Sequence, residues 1–79
     1  MYLQLEILSI ISNILNNNDI NENVLDHELK DIGIDSISFI KIVIAIEEKC
    51  HMDFDDEMLI VTKFPTIKTV IEYVETKIK

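Results

Sequence analysis

Apolar residues recur along this chain with the period of a helix. Over residues 3–15, LQLEILSIISNIL, the positions Leu3, Ile7, Ile10, Ile11 and Ile14 share one face at 3.6-residue spacing, with Glu6, Ser9 and Asn13 opposite. That spacing predicts a first helix, ended by Asn16, Asn17 and Asn18, because Asn competes poorly for helix interiors and suits turns. Residues 16–35 hold no sustained period, and a connection of that length is long for a compact domain. Its apolar residues Ile20, Val24, Leu25, Leu29, Ile32 and Ile34 are expected to pin it to the core, with a short helical turn at Asp26 to Lys30. A second helix is expected over 36–50. A short third is expected over 55–60, DDEMLI, with acids in its first turn, where the helix dipole favours them. Pro65 and Thr66 announce the last helix, whose Ile67, Val70, Ile71, Val74 and Ile78 follow i, i+3, i+4, i+7, i+11. No run alternates with period two. The pattern predicts an all-α fold in one domain, residues 1–79.

The second helix is unusual in having two apolar faces. Advancing about 100° per residue from position 37, Phe39, Ile42, Val43, Ile46 and Cys50 gather in one arc. Ile37, Ile40 and Ile44 gather nearly opposite, beside Lys41 and Glu48, where a helix buried on one side is polar. Either both faces are buried, with the helix central to its bundle, or the second is an exposed docking patch.

Composition narrows the function. With 79 residues the chain has a core near the lower limit for independent folding, which argues against an enzyme with a deep cleft. Hydrophobic residues make up 48%, too many for a disordered chain. The net charge is −8, from 7 lysines, no arginine and 15 acids, so neither nucleic acid nor an anionic membrane is an expected partner, whereas a basic protein is. Seven of those acids, against two lysines, fall between Asp35 and Glu57. The one cysteine, Cys50, allows no internal disulfide and suits a reducing, cytoplasmic compartment. No apolar run is long enough to span a membrane, and MYLQLEILSI lacks the basic region of a signal peptide.

The candidate chemistry lies at GIDSIS, residues 33–38. The chain's only glycine, Gly33, lets the backbone turn before the helix. Asp35 is a natural N-cap that leaves the Ser36 hydroxyl free. At a helix start, unpaired amides and the positive dipole end favour a phosphate ester on that hydroxyl. A catalytic role for Ser36 is not expected. A nucleophilic serine needs an adjacent base, and His51 ends the same helix more than about 20 Å away at ~1.5 Å per residue. His27, the other histidine, is not in helical register with the serine.

Residues 29–37, LKDIGIDSI, resemble the phosphopantetheine attachment motif of acyl carrier proteins, and the resemblance continues through IKIVIAIEEKCHMDF and FPTIKTVIEYV, covering nearly the whole chain. It implies a four-helix bundle, three helices long and one short, with a long loop between the first two. It implies a 4'-phosphopantetheine arm esterified to Ser36 by a separate transferase, with Asp35 beside it and a thiol that carries acyl or aminoacyl groups as thioesters. The protein itself would catalyse nothing and would act as a monomer. Its partners would be the phosphopantetheinyl transferase, an acyl- or aminoacyl-loading enzyme, and condensing or tailoring enzymes. The expected docking residues are Ile37, Ile40, Lys41, Ile44, Glu47 and Glu48. Asp35 before the serine resembles acyl carriers more than the His-Ser form frequent in peptidyl carriers. Fatty-acid carriers, however, tend to be acidic where this chain has Ser38 and Lys41. That departure points towards a discrete carrier for polyketide or nonribosomal peptide assembly, with a housekeeping fatty-acid carrier as the alternative.

Rivals from other classes fare less well. Asp19, Asn21 and Asn23 imitate the start of a calcium loop, but Val24 stands where glycine is required and Lys30 where a bidentate glutamate is required. Cys50 falls on the core arc and reads as a buried small hydrophobe, and no Cys/His set has zinc spacing. A helical adapter that docks through Ile37, Ile40 and Ile44 without a prosthetic group remains open, and Ser36→Ala would separate it from a carrier.

Overall fold

The computed structural model describes residues 2–78. Three α-helices enclose one apolar core: α1 (Tyr2–Leu15), α2 (Ser36–Cys50) and α3 (Ile67–Ile78). Four short 3₁₀ turns lie in the two connections, at Glu22–Val24, Leu29–Ile32, Asp56–Met58 and Val61–Lys63. Among the described residues there is no strand, only an isolated bridge between Glu28 and Thr66.

α1 buries Leu3, Ile7, Leu8 and Ile11, while Ile10 and Ile14 are half-buried at the margin of the core. The face is wider than the predicted stripe because α1 packs on both other helices, and Leu8, about 100° from Ile7, completes it. The helix stops at Asn16, which takes the left-handed conformation at φ 53°, one that Asn tolerates better than most residues.

α2 begins and ends where its pattern predicts. Phe39, Ile42, Val43 and Ile46 are its buried face. Its C-terminus closes on His51 in the left-handed conformation, φ 53° and ψ 49°, with the His51 N–H donating to the Glu47 carbonyl. α3 starts with a reciprocal pair: the Thr69 amide donates to Thr66 Oγ1 at 3.3 Å and the Thr66 amide to Thr69 Oγ1 at 3.2 Å. This satisfies two amides at the helix start in the manner of a capping box.

The long first connection is pinned as expected, through buried Ile20, Val24, Leu29 and Ile34. Its helical turn is not over 26–30. It falls on Leu29–Ile32, where buried Leu29 anchors it, with an earlier turn at Glu22–Val24. The loop is also tied to α3, whose Ile67 and Lys68 amides donate to the carbonyls of His27 (3.3 Å) and Leu25 (3.0 Å).

The expected four-helix bundle needs correction at its short third helix. Residues 55–60 form no α-helix. The stretch takes two 3₁₀ turns, Asp56–Met58 and Val61–Lys63. Met58, Leu59, Ile60 and Val61 are consecutive, so they cannot line one helical face, and a helix of six residues has little to sustain it without such a face. What fixes the segment is its ends. Phe54 and Phe64 are both buried and belong to an aromatic cluster with Phe39 and Tyr73, with centroid separations of 5.0–6.1 Å.

Candidate functional site

The approach to Ser36 is set by three residues in order. Gly33 sits at φ +91°, in the left-handed region, and its N–H closes the preceding turn on the carbonyls of Leu29 and Lys30. A Cβ there would meet nothing within 4 Å, so backbone conformation alone selects glycine. Ile34 is then buried and plugs the chain into the core. Asp35 caps α2, its Oδ1 accepting from the Ser38 amide at 2.8 Å. That bond is the main reason its carboxyl is held below the ordinary carboxylate range. Asp35, not Ser36, therefore supplies the capping oxygen. Ser36 is left as the first residue of the helix with its side chain exposed.

From Ser36 an apolar stripe runs along the outside of α2. Ile37 is 71% exposed, Ile40 39% and Ile44 50%. The second apolar face of the helix thus faces solvent, with Lys41 and Glu48 exposed beside it. Glu47 behaves differently. It is half-buried, and its Oε2 accepts from the Phe54 amide at 2.9 Å, so it holds the chain that leaves α2.

Residues 6–74 match the family described as "Phosphopantetheine attachment site". The chain belongs to that family, the acyl carrier proteins. An acyl carrier protein of Phytoplasma mali is 40% identical over 58 residues, covering 72% of this chain and 67% of that protein. Another, from Wolinella succinogenes, is 35% identical over 48 residues, covering 61% of this chain and 60% of that protein. The chain thus spans two thirds of the first relative and less than that of the second. No solved structure matches it.

Membership of the acyl carrier protein family gives the cofactor as covalently attached 4'-phosphopantetheine and the role as a carrier, not an enzyme. It sets aside an adapter without a prosthetic group. The residues present fit such a group: an exposed primary hydroxyl at a helix start, a neighbouring carboxylate committed to capping, and a positive helix end suited to a phosphate diester.

The sequence pattern did not reveal a second polar cluster, which holds the segment after α2. The Tyr73 hydroxyl accepts from the Asp55 amide at 3.0 Å and donates to Asp55 Oδ2 at 3.1 Å. Lys77 Nζ reaches Asp55 Oδ1 at 3.0 Å. Asp55 is held low by its bonds to Lys77 and Tyr73, and Lys77 is held high by Asp55. Asp55 is read from sequence as a first-turn acid; its partners lie 18 and 22 residues away, beyond the reach of local pattern. Cys50 is half-buried rather than fully buried, and its thiol is pushed up, first by burial and then by the charge of Glu6. Among the described residues no group of His, Cys, Asp and Glu could hold a metal ion, and no helix is long and apolar enough to cross a membrane.

Proposed function

We propose that Ser36 carries the 4'-phosphopantetheine and that the chain is a discrete carrier for polyketide or nonribosomal peptide type assembly. The observation that carries this is the pose of Ser36: exposed, first in α2, inside the family match, with Asp35 taking the capping role that would otherwise occupy the hydroxyl. When bound, the arm supplies a terminal thiol that holds an acyl or aminoacyl group as a thioester. The chain's own part is to present the serine on a rigid helix start, and to offer a surface by which partners find it. Ile37, Ile40 and Ile44, with Lys41 and Glu48, form that surface, while Glu47, expected from sequence to join it, is spent on the Phe54 amide; the transferase, the loading enzyme and condensing or tailoring enzymes are its partners. A cleft of about 240 Å³ with Leu29, Ile34, Val61 and Phe64 in its walls lies against the stretch leading into Ser36 and gives an acyl group apolar surface to rest on. The protein acts as a monomer, and a reducing compartment such as the cytoplasm suits its free thiol.

A fatty-acid carrier is the second reading, favoured by Asp35 directly before the serine. Ser38 and Lys41, on the same helix, disfavour it, because partner enzymes of that system present basic residues. The test is an intact mass measurement after incubation with coenzyme A and a promiscuous phosphopantetheinyl transferase. The wild type gains one phosphopantetheine and Ser36→Ala gains none. An unchanged wild-type mass, with the transferase active on a control carrier, overturns the assignment. Addition to both proteins moves the attachment point elsewhere.

A further inference from the structure

We infer that Lys41 sets the charge selectivity of the α2 face, so that the partner enzymes it suits place a carboxylate between two apolar sockets; this rests on the carrier function proposed above. With Ile37 at zero and about 100° per residue, Ile40, Ile44, Glu48 and Lys41 lie within about 100° of arc. Along the axis, at ~1.5 Å per residue, Lys41 stands about 7.5 Å from Ser36, after Ile37 and Ile40 and before Ile44. A partner that comes close enough to reach the serine and cover these isoleucines also meets the ammonium group.

Among the described residues Lys41 has no ion-pair partner. The residues three and four positions from Lys41 are Ile37, Ser38, Ile44 and Ala45, none of them charged. The ion pairs among the described residues are Lys30–Glu28 and Lys77–Asp55. Glu48, seven residues on, is about 10 Å further along the helix, roughly one Debye length at 0.1 M salt. Lys41 is therefore a distinct positive point on a molecule of net charge −8. The overall charge draws basic partners towards the chain, and Lys41 rejects any that put a base at this spot, since like charges brought together across an interface are costly. From the serine outwards the complementary surface reads apolar, acid, apolar, then a base facing Glu48.

The test uses two probes: a phosphopantetheinyl transferase with a basic carrier-contact surface, and the same enzyme with those bases changed to acids. The kcat/KM for Ser36 modification is measured by mass for wild type, Lys41→Gln and Lys41→Glu. With the basic enzyme the expected order is Lys41→Glu, then Lys41→Gln, then wild type. The span is about five- to tenfold, carried by KM, and shrinks at high ionic strength. The acidic enzyme should reverse the order. Equal rates for the three carriers with the basic enzyme, or a difference insensitive to salt, overturn the inference. No modification of any of them overturns the carrier assignment beneath it, which is a separate result. Because Lys41 is exposed, thermal melts of the three proteins should coincide.

Discussion

Ile44 and Ile46 are the same amino acid two positions apart on one helix, and they show how α2 divides its work. Ile46 is fully buried, in a stripe with Phe39, Ile42 and Val43, whereas Ile44 is half exposed, in a stripe with Ile37 and Ile40. Fully burying such a side chain stabilises a fold by roughly 1.5–3 kcal/mol. A chain of 79 residues, short of core, leaves three isoleucines of this helix partly or mostly exposed. The inner stripe holds the helix in place, and the outer one adjoins Ser36 on the solvent side.

The sharpest way to break this comparison is by stability. Phe39→Ala should cost about 3–5 kcal/mol and Ile46→Ala about 2–5, whereas Ile44→Ala should fall within about 0.5 kcal/mol of wild type. Each kcal/mol moves the Tm of a domain this size by about 4–8 °C. If thermal or denaturant melts place Ile44→Ala with Ile46→Ala, the outer stripe is part of the core and the docking face is lost. Slower acyl transfer by Ile44→Ala at unchanged Tm sharpens the division.

A smaller effect concerns the cap where the two stripes begin. Asp35 is held below its ordinary value when folded, chiefly by the Ser38 amide. The unfolded chain therefore binds this proton more readily. The capping charge adds stability above the unfolded pKa and loses it as pH falls through the folded one. Asparagine also caps but does not titrate. Asp35→Asn should thus leave neutral-pH stability nearly unchanged and make the acid limb of a stability–pH curve shallower. An unaltered acid limb would show that the charge at the cap adds nothing to the hydrogen bond. Asp55, held low by Lys77 and Tyr73, contributes to the same limb with the same sign.

Smallest is an effect at the far end of the inner stripe. Burial and Glu6 both disfavour the Cys50 thiolate. A thiol-disulfide reagent should react more slowly with the folded protein than with the denatured one at neutral pH, and Glu6→Gln should quicken the folded reaction slightly. Folded and denatured rates that coincide would place Cys50 outside the core.

Much of this was legible in the sequence, and the reasons are specific. α2 follows from a capping Asp, an apolar run of helical period and a polar stop, all of them local signals. So does the start of α3 at Pro65 and Thr66. Leu8 was hidden because a helix packed on two neighbours needs a wider face than one stripe. The short third helix was misread because DDEMLI carries helix-start acids, but Asp55 is bound to Lys77 and Tyr73, and Glu47 holds the Phe54 amide. Those tertiary bonds override a weak local preference. At the candidate site the cap at Asp35 was readable. The engagement of Glu47 was not, because it depends on where the chain turns after His51.

The bonds from the first amides of α3 to the carbonyls of Leu25 and His27 have a consequence for portability. The loop that delivers Ser36 is fastened by the last helix, more than thirty positions downstream of the serine in the chain. A short peptide excised around GIDSIS would keep the hydroxyl but lose the frame that aims it. The shape around Ser36, the attachment point proposed above, rests on contacts from the last helix as well as on its own loop, so grafting the motif onto another protein would transfer its letters without its architecture.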